Sequence, residues 1–161
     1  MEKTNITTYF TVYNDLDELL IEDQNLFKKA IRARDKAYAP YSNFLVGTAI
    51  LLANGKVITG NNQENAAYPS GLCAERVAIY YAAAKYPNIN ILKIVISAKS
   101  NNKKVDQPIA PCGSCRQAIA EYEQKQNSPI SILMMGDSGK IFKCESLEDI
   151  LPLAFGSSYL K

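Results

Sequence analysis

The chain has 161 residues, of which 47% are hydrophobic and 21% are charged, and its formal net charge is +2. This length and composition predict one domain with a sizeable core, and the small charge gives no argument for a polyanionic partner. The sequence contains no histidine, which excludes Ser-His-Asp and Cys-His triads and leaves only cysteine or carboxylate side chains to hold zinc.

The N-terminal half is predicted to contain one strand, one helix and one hairpin, over residues 6–13, 24–38 and 45–60. The strand is β-branched and aromatic, and the helix has apolar residues on one face until Pro40 ends it. The dipeptide Asn54-Gly55 between two apolar runs is the strongest short hairpin signal.

The C-terminal half is predicted to contain two further helices and three further strands. The helices cover residues 72–85 and 113–126, and the strands cover 91–98, 129–135 and 140–144. A short helix follows, with Ser146 as its N-cap. Strands separated by helices indicate an α/β fold with a mixed sheet and helices on both faces.

The chain contains no run of 18 apolar residues, and its N-terminus does not have the pattern of a signal peptide. We therefore expect a cytoplasmic protein without a membrane partner. In that reducing compartment, cysteines are more often metal ligands or catalytic groups than disulfides.

Three of the four cysteines, Cys73, Cys112 and Cys115, lie at the starts of two predicted helices. A helix N-terminus favours thiolate, which is the form that zinc binds. A C-x-x-C pair alone would be equally consistent with redox chemistry, but a third cysteine favours a metal site with one open position, as catalytic zinc has. Cys144 is either a fourth ligand or, as we favour, a small buried hydrophobic residue.

Each charged residue next to these cysteines allows two interpretations of its role. Glu75 is either a carboxylate that stabilises a helix start or, without histidine in the chain, the best general acid/base candidate. Zinc with three thiolates carries a net negative charge. Arg76 is either a solvated helix residue or, as we favour, offsets that charge by donating hydrogen bonds to sulfur. For Arg116, a role at the site and a solvated position on the helix both stay open.

The segments GNNQENAAYPSGLCAER and PCGSCRQ resemble the small, three-cysteine form of the zinc-dependent cytidine deaminase family. The resemblance extends from residue 37 to residue 156, and residues 1–20 form an extension to a single cytidine-deaminase-like domain. It implies a three-layer α/β/α fold with a mixed five-stranded sheet and one Zn²⁺ per chain. It also implies a homotetramer whose active sites are completed by neighbouring subunits, acting in pyrimidine salvage.

The resemblance further implies hydrolytic deamination of cytidine and 2'-deoxycytidine to uridine and 2'-deoxyuridine, with release of ammonia. Water activated by zinc attacks C4, and Glu75 shuttles protons. The implied zinc ligands are Cys73, Cys112 and Cys115, and the implied substrate-binding residues are Asn62, Glu64, Phe44, Tyr68 and Phe155. Asn62 and Glu64 would bind the ribose, Phe44 would lie near the base, and the last two would approach a neighbouring subunit's substrate. We expect Glu64 to be a buried carboxylate that lacks a donor until a sugar hydroxyl binds.

Other functions are compatible with the same motifs. A deaminase of a cytosine-nucleoside antibiotic of the blasticidin S type shares the Cys-x-Glu and Pro-Cys-x-x-Cys signature. A non-catalytic, zinc-stabilised binding module would need a fourth protein ligand and would give Glu75 no task. A polynucleotide deaminase is disfavoured, because no basic stripe with interleaved aromatic residues is evident.

Overall fold

The computed structural model describes residues 1–160, and within that range the chain forms one sheet and three α-helices. The helices are α1 (Ile21–Arg34), α2 (Ala74–Lys85) and α3 (Gly113–Gln126). The strands are β1 (Thr11–Tyr13), β2 (Phe44–Leu52), β3 (Val57–Asn61), β4 (Ile91–Ser100), β5 (Ser131–Met135) and β6 (Ile141–Cys144). The predicted order of helices and strands is thereby confirmed, and Ser146 caps a single 3₁₀ turn.

The sheet has the strand order β1-β6-β5-β4-β2-β3. Only β4 and β5 run parallel, and the other neighbours are antiparallel, so the sheet is mixed as expected. It has six strands rather than the expected five, because the N-terminal segment adds β1 to the edge of β6, with Thr11 opposite Lys143. The predicted strand over residues 6–13 is shortened to Thr11–Tyr13, since β6 itself offers only four residues for pairing.

The three layers follow from the alternation of side chains along the central strands. Ala49 and Leu51 of β2 face α1, where they join a buried cluster with Phe27. Ile50 of β2 faces the opposite side and joins a second cluster with Ile79 of α2. Both faces of the sheet are therefore covered by helices, which confirms the α/β/α arrangement.

Two glycines allow the helices to approach the sheet closely. A Cβ at Gly47 of β2 would lie 2.0 Å from the carbonyl oxygen of Ala30 in α1. A Cβ at Gly60 of β3 would lie 2.6 Å from the carbonyl oxygen of Ala74 in α2. Glycine at position 60 therefore fixes the height of α2 above the sheet, and with it the position of the first turn of α2.

The segment after α1 departs from the prediction and builds one wall of a pocket. The helix predicted to reach residue 38 ends at Arg34, because Tyr38 turns away to form hydrogen bonds with another segment. Its amide donates to the carbonyl of Asn62 over 3.0 Å, and its carbonyl accepts from the amide of Glu64 over 2.9 Å.

Among the described residues, no helix is both long and apolar enough to cross a membrane.

Candidate metal centre and adjoining pocket

The thiols of Cys73, Cys112 and Cys115 lie together at the adjoining starts of α2 and α3. Cys73 and Cys112 are the N-cap residues of their helices, and Cys115 lies in the first turn of α3. The Sγ atoms of Cys73 and Cys112 are 3.8 Å apart, and those of Cys112 and Cys115 are 3.5 Å apart. Sulfurs that bind a tetrahedral zinc at about 2.3 Å lie about 3.8 Å from one another, so the donor set fits zinc.

The local electrostatics favour an ionised sulfur in this cluster. Hydrogen bonding with the thiol of Cys115, helped by Arg76 and Cys112, lowers the pKa of Cys73 to about 5. The same interaction with Cys73 raises the pKa of Cys115, which is fully buried. Cys73 is therefore the first of the two to ionise, and both lie where the amide groups of a helix start stabilise negative charge.

Arg76 lies in the first turn of α2 and points at the cluster. Its Nη2 atom is 3.7 Å from the Sγ of Cys73, and the sulfurs raise the pKa of the guanidinium. Its buried Nε has no hydrogen-bond partner among the described residues. The structure thus places Arg76 where it can offset thiolate charge.

The side chain of Arg116 forms hydrogen bonds with two backbone carbonyl groups. Its Nε donates to the carbonyl of Pro111 over 2.8 Å, and its Nη1 donates to the carbonyl of Ile150 over 2.7 Å. Neither of these hydrogen bonds reaches a thiol. Arg116 ties the residue before Cys112 to the C-terminal segment.

Glu75 lies in the first turn of α2 and is only 5% exposed. Burial raises the pKa of its carboxyl to about 7, and the negative charge of Cys73 acts in the same direction. A carboxyl in this state can both accept and donate a proton near neutral pH. Its position beside Cys73 and Cys115 is the one that a proton carrier next to a metal centre would need.

Cys144 lies in the core and not in the thiol cluster. It is a member of the buried cluster beneath α2 and α3, and its thiol donates to the carbonyl of Ile132 over 3.8 Å. Burial raises the pKa of Cys144 to about 12, which opposes the thiolate form that zinc requires. Within residues 1–160, the group of side chains able to hold a metal contains only the other three cysteines.

A cavity of about 470 Å³ opens beside Cys73 and Arg76. Its wall includes Asn62, Glu64 and Tyr68 from the predicted site, together with Tyr41 and Ser42. The last two were not predicted as site residues. Pro40 marks a turn in their segment, but the sequence carries no signal that this turn faces residue 64.

The expectation of an unpaired carboxylate at Glu64 is wrong. Its Oε2 accepts from the amide of Tyr41 over 2.9 Å and from the amide of Ser42 over 3.3 Å, and its Oε1 accepts from the hydroxyl of Ser42. Partial burial opposes ionisation, but these hydrogen bonds prevail and hold the pKa of Glu64 below its usual value. The carboxylate is charged and already paired, because the turn after Pro40 folds over it.

Asn62 also has partners in its own chain. Its Nδ2 donates to the carbonyl of Phe44 over 2.9 Å, and its Oδ1 accepts from the amide of Val46 over 2.8 Å. These bonds fasten the start of β2 to the loop after β3. One N–H and one acceptor position of the amide stay available, and the side chain lines the cavity.

The three aromatic candidates lie in different surroundings. Phe44 is half-buried at the first position of β2 and is not part of the cavity wall. Tyr68 is 76% exposed at the cavity, with its ring edge-on to Tyr41 at a centroid distance of 6.1 Å. Phe155 is 57% exposed, stacks on Tyr159 and is absent from the wall of this cavity in its own chain.

The sequence of the chain is similar to those of known proteins. Residues 20–128 match the family model described as the cytidine and deoxycytidylate deaminase zinc-binding region. The chain is 37% identical over 135 residues to a cytidine deaminase of Halalkalibacterium halodurans, covering 84% of this chain and 95% of that protein. It is 33% identical to a cytidine deaminase of Sporosarcina psychrophila, covering 85% of this chain and 93% of that protein.

Solved structures show the same similarity in three dimensions. The fold matches a crystal structure of cytidine deaminase from Burkholderia pseudomallei with a TM-score of 0.69 and 37% sequence identity, covering 81% of this chain and 97% of that one. It matches cytidine deaminase from Mycobacterium tuberculosis with a TM-score of 0.63 and 32% identity, covering 84% and 98% of the two chains.

Proposed function

Because the chain belongs to the family of cytidine and deoxycytidylate deaminases with a zinc-binding region, we propose that it deaminates cytidine and 2'-deoxycytidine by hydrolysis. The products are uridine or 2'-deoxyuridine and ammonia. One observation carries this proposal: three thiols at tetrahedral spacing adjoin the buried carboxyl of Glu75, and no fourth protein ligand joins them in the described part of the chain. An open metal position beside a proton carrier is typical of a hydrolytic site.

The three cysteines would hold one zinc ion per chain. When bound, zinc supplies Lewis-acid chemistry that makes water a nucleophile near neutral pH. Glu75 accepts a proton from water while the oxygen of that water forms a bond with C4. Glu75 then delivers the proton to N3. Glu75 then takes the proton of the hydroxyl now on C4 and passes it to the exocyclic amino group, so that the C4–N bond breaks, ammonia leaves and a carbonyl remains at C4.

The cavity would bind the nucleoside. Glu64 and Asn62 are proposed to bind the sugar through the hydrogen-bonding positions that their internal contacts leave available. Phe44 lies outside the cavity wall of the single chain, and its proposed place near the base rests on the family resemblance alone. Tyr68 and Phe155 are exposed, which suits contact with a neighbouring subunit of a homotetramer. Arg76 would keep the three thiolates from weakening the metal's effect on water.

Two other functions stay as alternatives to be tested. An antibiotic deaminase of the blasticidin S type would use the same metal centre with a different sugar pocket. A non-catalytic zinc module is less favoured, since such a site usually has a fourth protein ligand and Cys144 lies in the core. The need for reduced thiols and the nucleoside products accord with a cytoplasmic role in pyrimidine salvage.

The test is a substrate panel on purified protein. Cytidine, 2'-deoxycytidine, cytosine and blasticidin S are each incubated with the enzyme, and both the change in absorbance of the base and the release of ammonia are followed. We expect turnover of the two nucleosides with one zinc per chain. Preferential turnover of blasticidin S would favour the first alternative, and zinc binding without any deamination would favour the second.

A further inference from the structure

The carboxylate of Glu64 has little hydrogen-bonding capacity left. An ionised carboxylate offers about four acceptor positions, two on each oxygen. Both positions of Oε2 are taken by the amides of Tyr41 and Ser42, and one position of Oε1 is taken by the hydroxyl of Ser42. A single acceptor position on Oε1 is therefore available to a ligand in the cavity.

The hydroxyl of Ser42 has a defined direction. Its oxygen accepts a hydrogen bond from the amide of Phe44 over 3.0 Å, and its one proton is donated to Glu64. The hydroxyl accepts from Phe44 and donates its only proton to Glu64, so the two hydrogen bonds are compatible. Together they fix the direction of the hydroxyl. Ser42 thus connects the first residue of β2 with the carboxylate.

No regular element holds the side chain of Glu64. The residue lies in the loop between β3 and α2. Its backbone amide donates a hydrogen bond to the carbonyl of Tyr38. The remaining bonds to its side chain come from the Tyr41–Ser42 turn. Replacing the hydroxyl of Ser42 would free Oε1, which could then swing about Oε2, while the two backbone amides still hold Oε2.

We propose that Ser42 is a positioning residue for sugar recognition: it holds the carboxylate of Glu64 so that its one unused acceptor faces a sugar hydroxyl. This inference rests on the proposed function, in which Glu64 binds the sugar. Ser42 itself has no part in the chemistry at C4. Its effect should consequently be seen in substrate affinity and only for ligands that carry a sugar.

The first experiment compares Ser42→Ala with Ser42→Thr. Ser42→Ala should weaken the hydrogen bond between the sugar and the mispositioned carboxylate, so we expect KM for cytidine to rise by up to about tenfold while kcat stays within about twofold. Turnover of free cytosine should not change, and Ser42→Thr, which keeps the hydroxyl, should stay close to the wild type. Ser138→Ala, an exposed serine in the β5–β6 turn, is the matched control and should change neither parameter.

The second experiment is a double-mutant cycle with Glu64→Ala. If Ser42 acts through Glu64, then Ser42→Ala adds no further loss of kcat/KM for cytidine in the Glu64→Ala background. Additive losses, or an equal loss for cytosine, would overturn the inference and leave the proposed function standing. A wild-type enzyme that does not deaminate cytidine would refute the proposed function and this role of Ser42 with it.

Discussion

Replacing Gly60 by alanine tests whether the height of α2 above the sheet sets the geometry of the metal centre. The added Cβ would lie 2.6 Å from the carbonyl oxygen of Ala74 and 2.7 Å from the amide of Ala78. An ordinary contact begins near 3.4 Å, so α2 has to retreat by about 0.8 Å. Both neighbours are backbone atoms of the helix, and a side-chain rotation cannot relieve the contact.

The retreat of α2 would move one proposed zinc ligand relative to the other two. Cys73 caps α2, whereas Cys112 and Cys115 belong to the start of α3, which does not rest on Gly60. A misplacement on the order of 1 Å can reduce activity about 10²-fold. Overpacking of this kind typically costs about 1–3 kcal/mol, which at this chain length lowers Tm by about 2–12 °C.

The assay measures Tm by thermal denaturation, zinc retained after dialysis against a weak chelator, and kcat/KM for cytidine. Gly113→Ala is the control for stability and zinc content. It lies next to Cys112, but a Cβ there meets nothing within 4 Å, so its stability should equal or slightly exceed that of the wild type. A Gly60→Ala protein with wild-type Tm, zinc content and activity would refute the reasoning.

Three further predictions concern other parts of the molecule. Cys112→Ser should lose zinc and Cys144→Ser should keep it, as measured by metal analysis; zinc loss in the second variant would contradict the three-cysteine assignment. Glu64→Ala should reduce kcat/KM for cytidine far more than for cytosine, and an unchanged ratio of the two would mean that the sugar is recognised elsewhere. Deleting residues 2–14 should lower stability by about 1–3 kcal/mol and promote association at high concentration, because it removes the Phe10–Phe142 contact and exposes the edge of β6. Thermal denaturation and light scattering test this, and a truncated protein that matches the full chain in both would argue against it.

The sequence predicts those parts of the fold whose signals are local. The helix over 113–126 is found with the predicted bounds, because Pro111 precedes it and its apolar residues repeat at helical spacing. The hairpin around Asn54-Gly55 joins β2 and β3 as expected. That each of the three cysteines lies at a helix start could likewise be anticipated from nearby residues. That the two helix starts meet was expected only from the pattern of metal ligands and the family resemblance.

Features that depend on distant pairing could not be predicted in this way. The strand propensity of the N-terminal segment predicts a strand but does not reveal that β6, about 130 residues away, is its partner, so its place as a sixth strand of the sheet was not expected. The early end of α1 results from the backbone bonds of Tyr38 to Asn62 and Glu64. The turn at Tyr41 and Ser42 pairs with Glu64 more than 20 residues later, which is why the carboxylate was expected to be unpaired.

The most direct test of the central claim is the Glu75→Gln variant with zinc content and deamination measured on the same sample. The amide keeps the shape of the buried side chain but cannot accept a proton from water. We expect zinc content and cytidine binding equal to those of the wild type, with kcat reduced at least about 10²–10⁴-fold, whereas Glu121→Gln on the exposed face of α3 should have no effect. A Glu75→Gln protein that deaminates cytidine within a few-fold of the wild type would contradict the account.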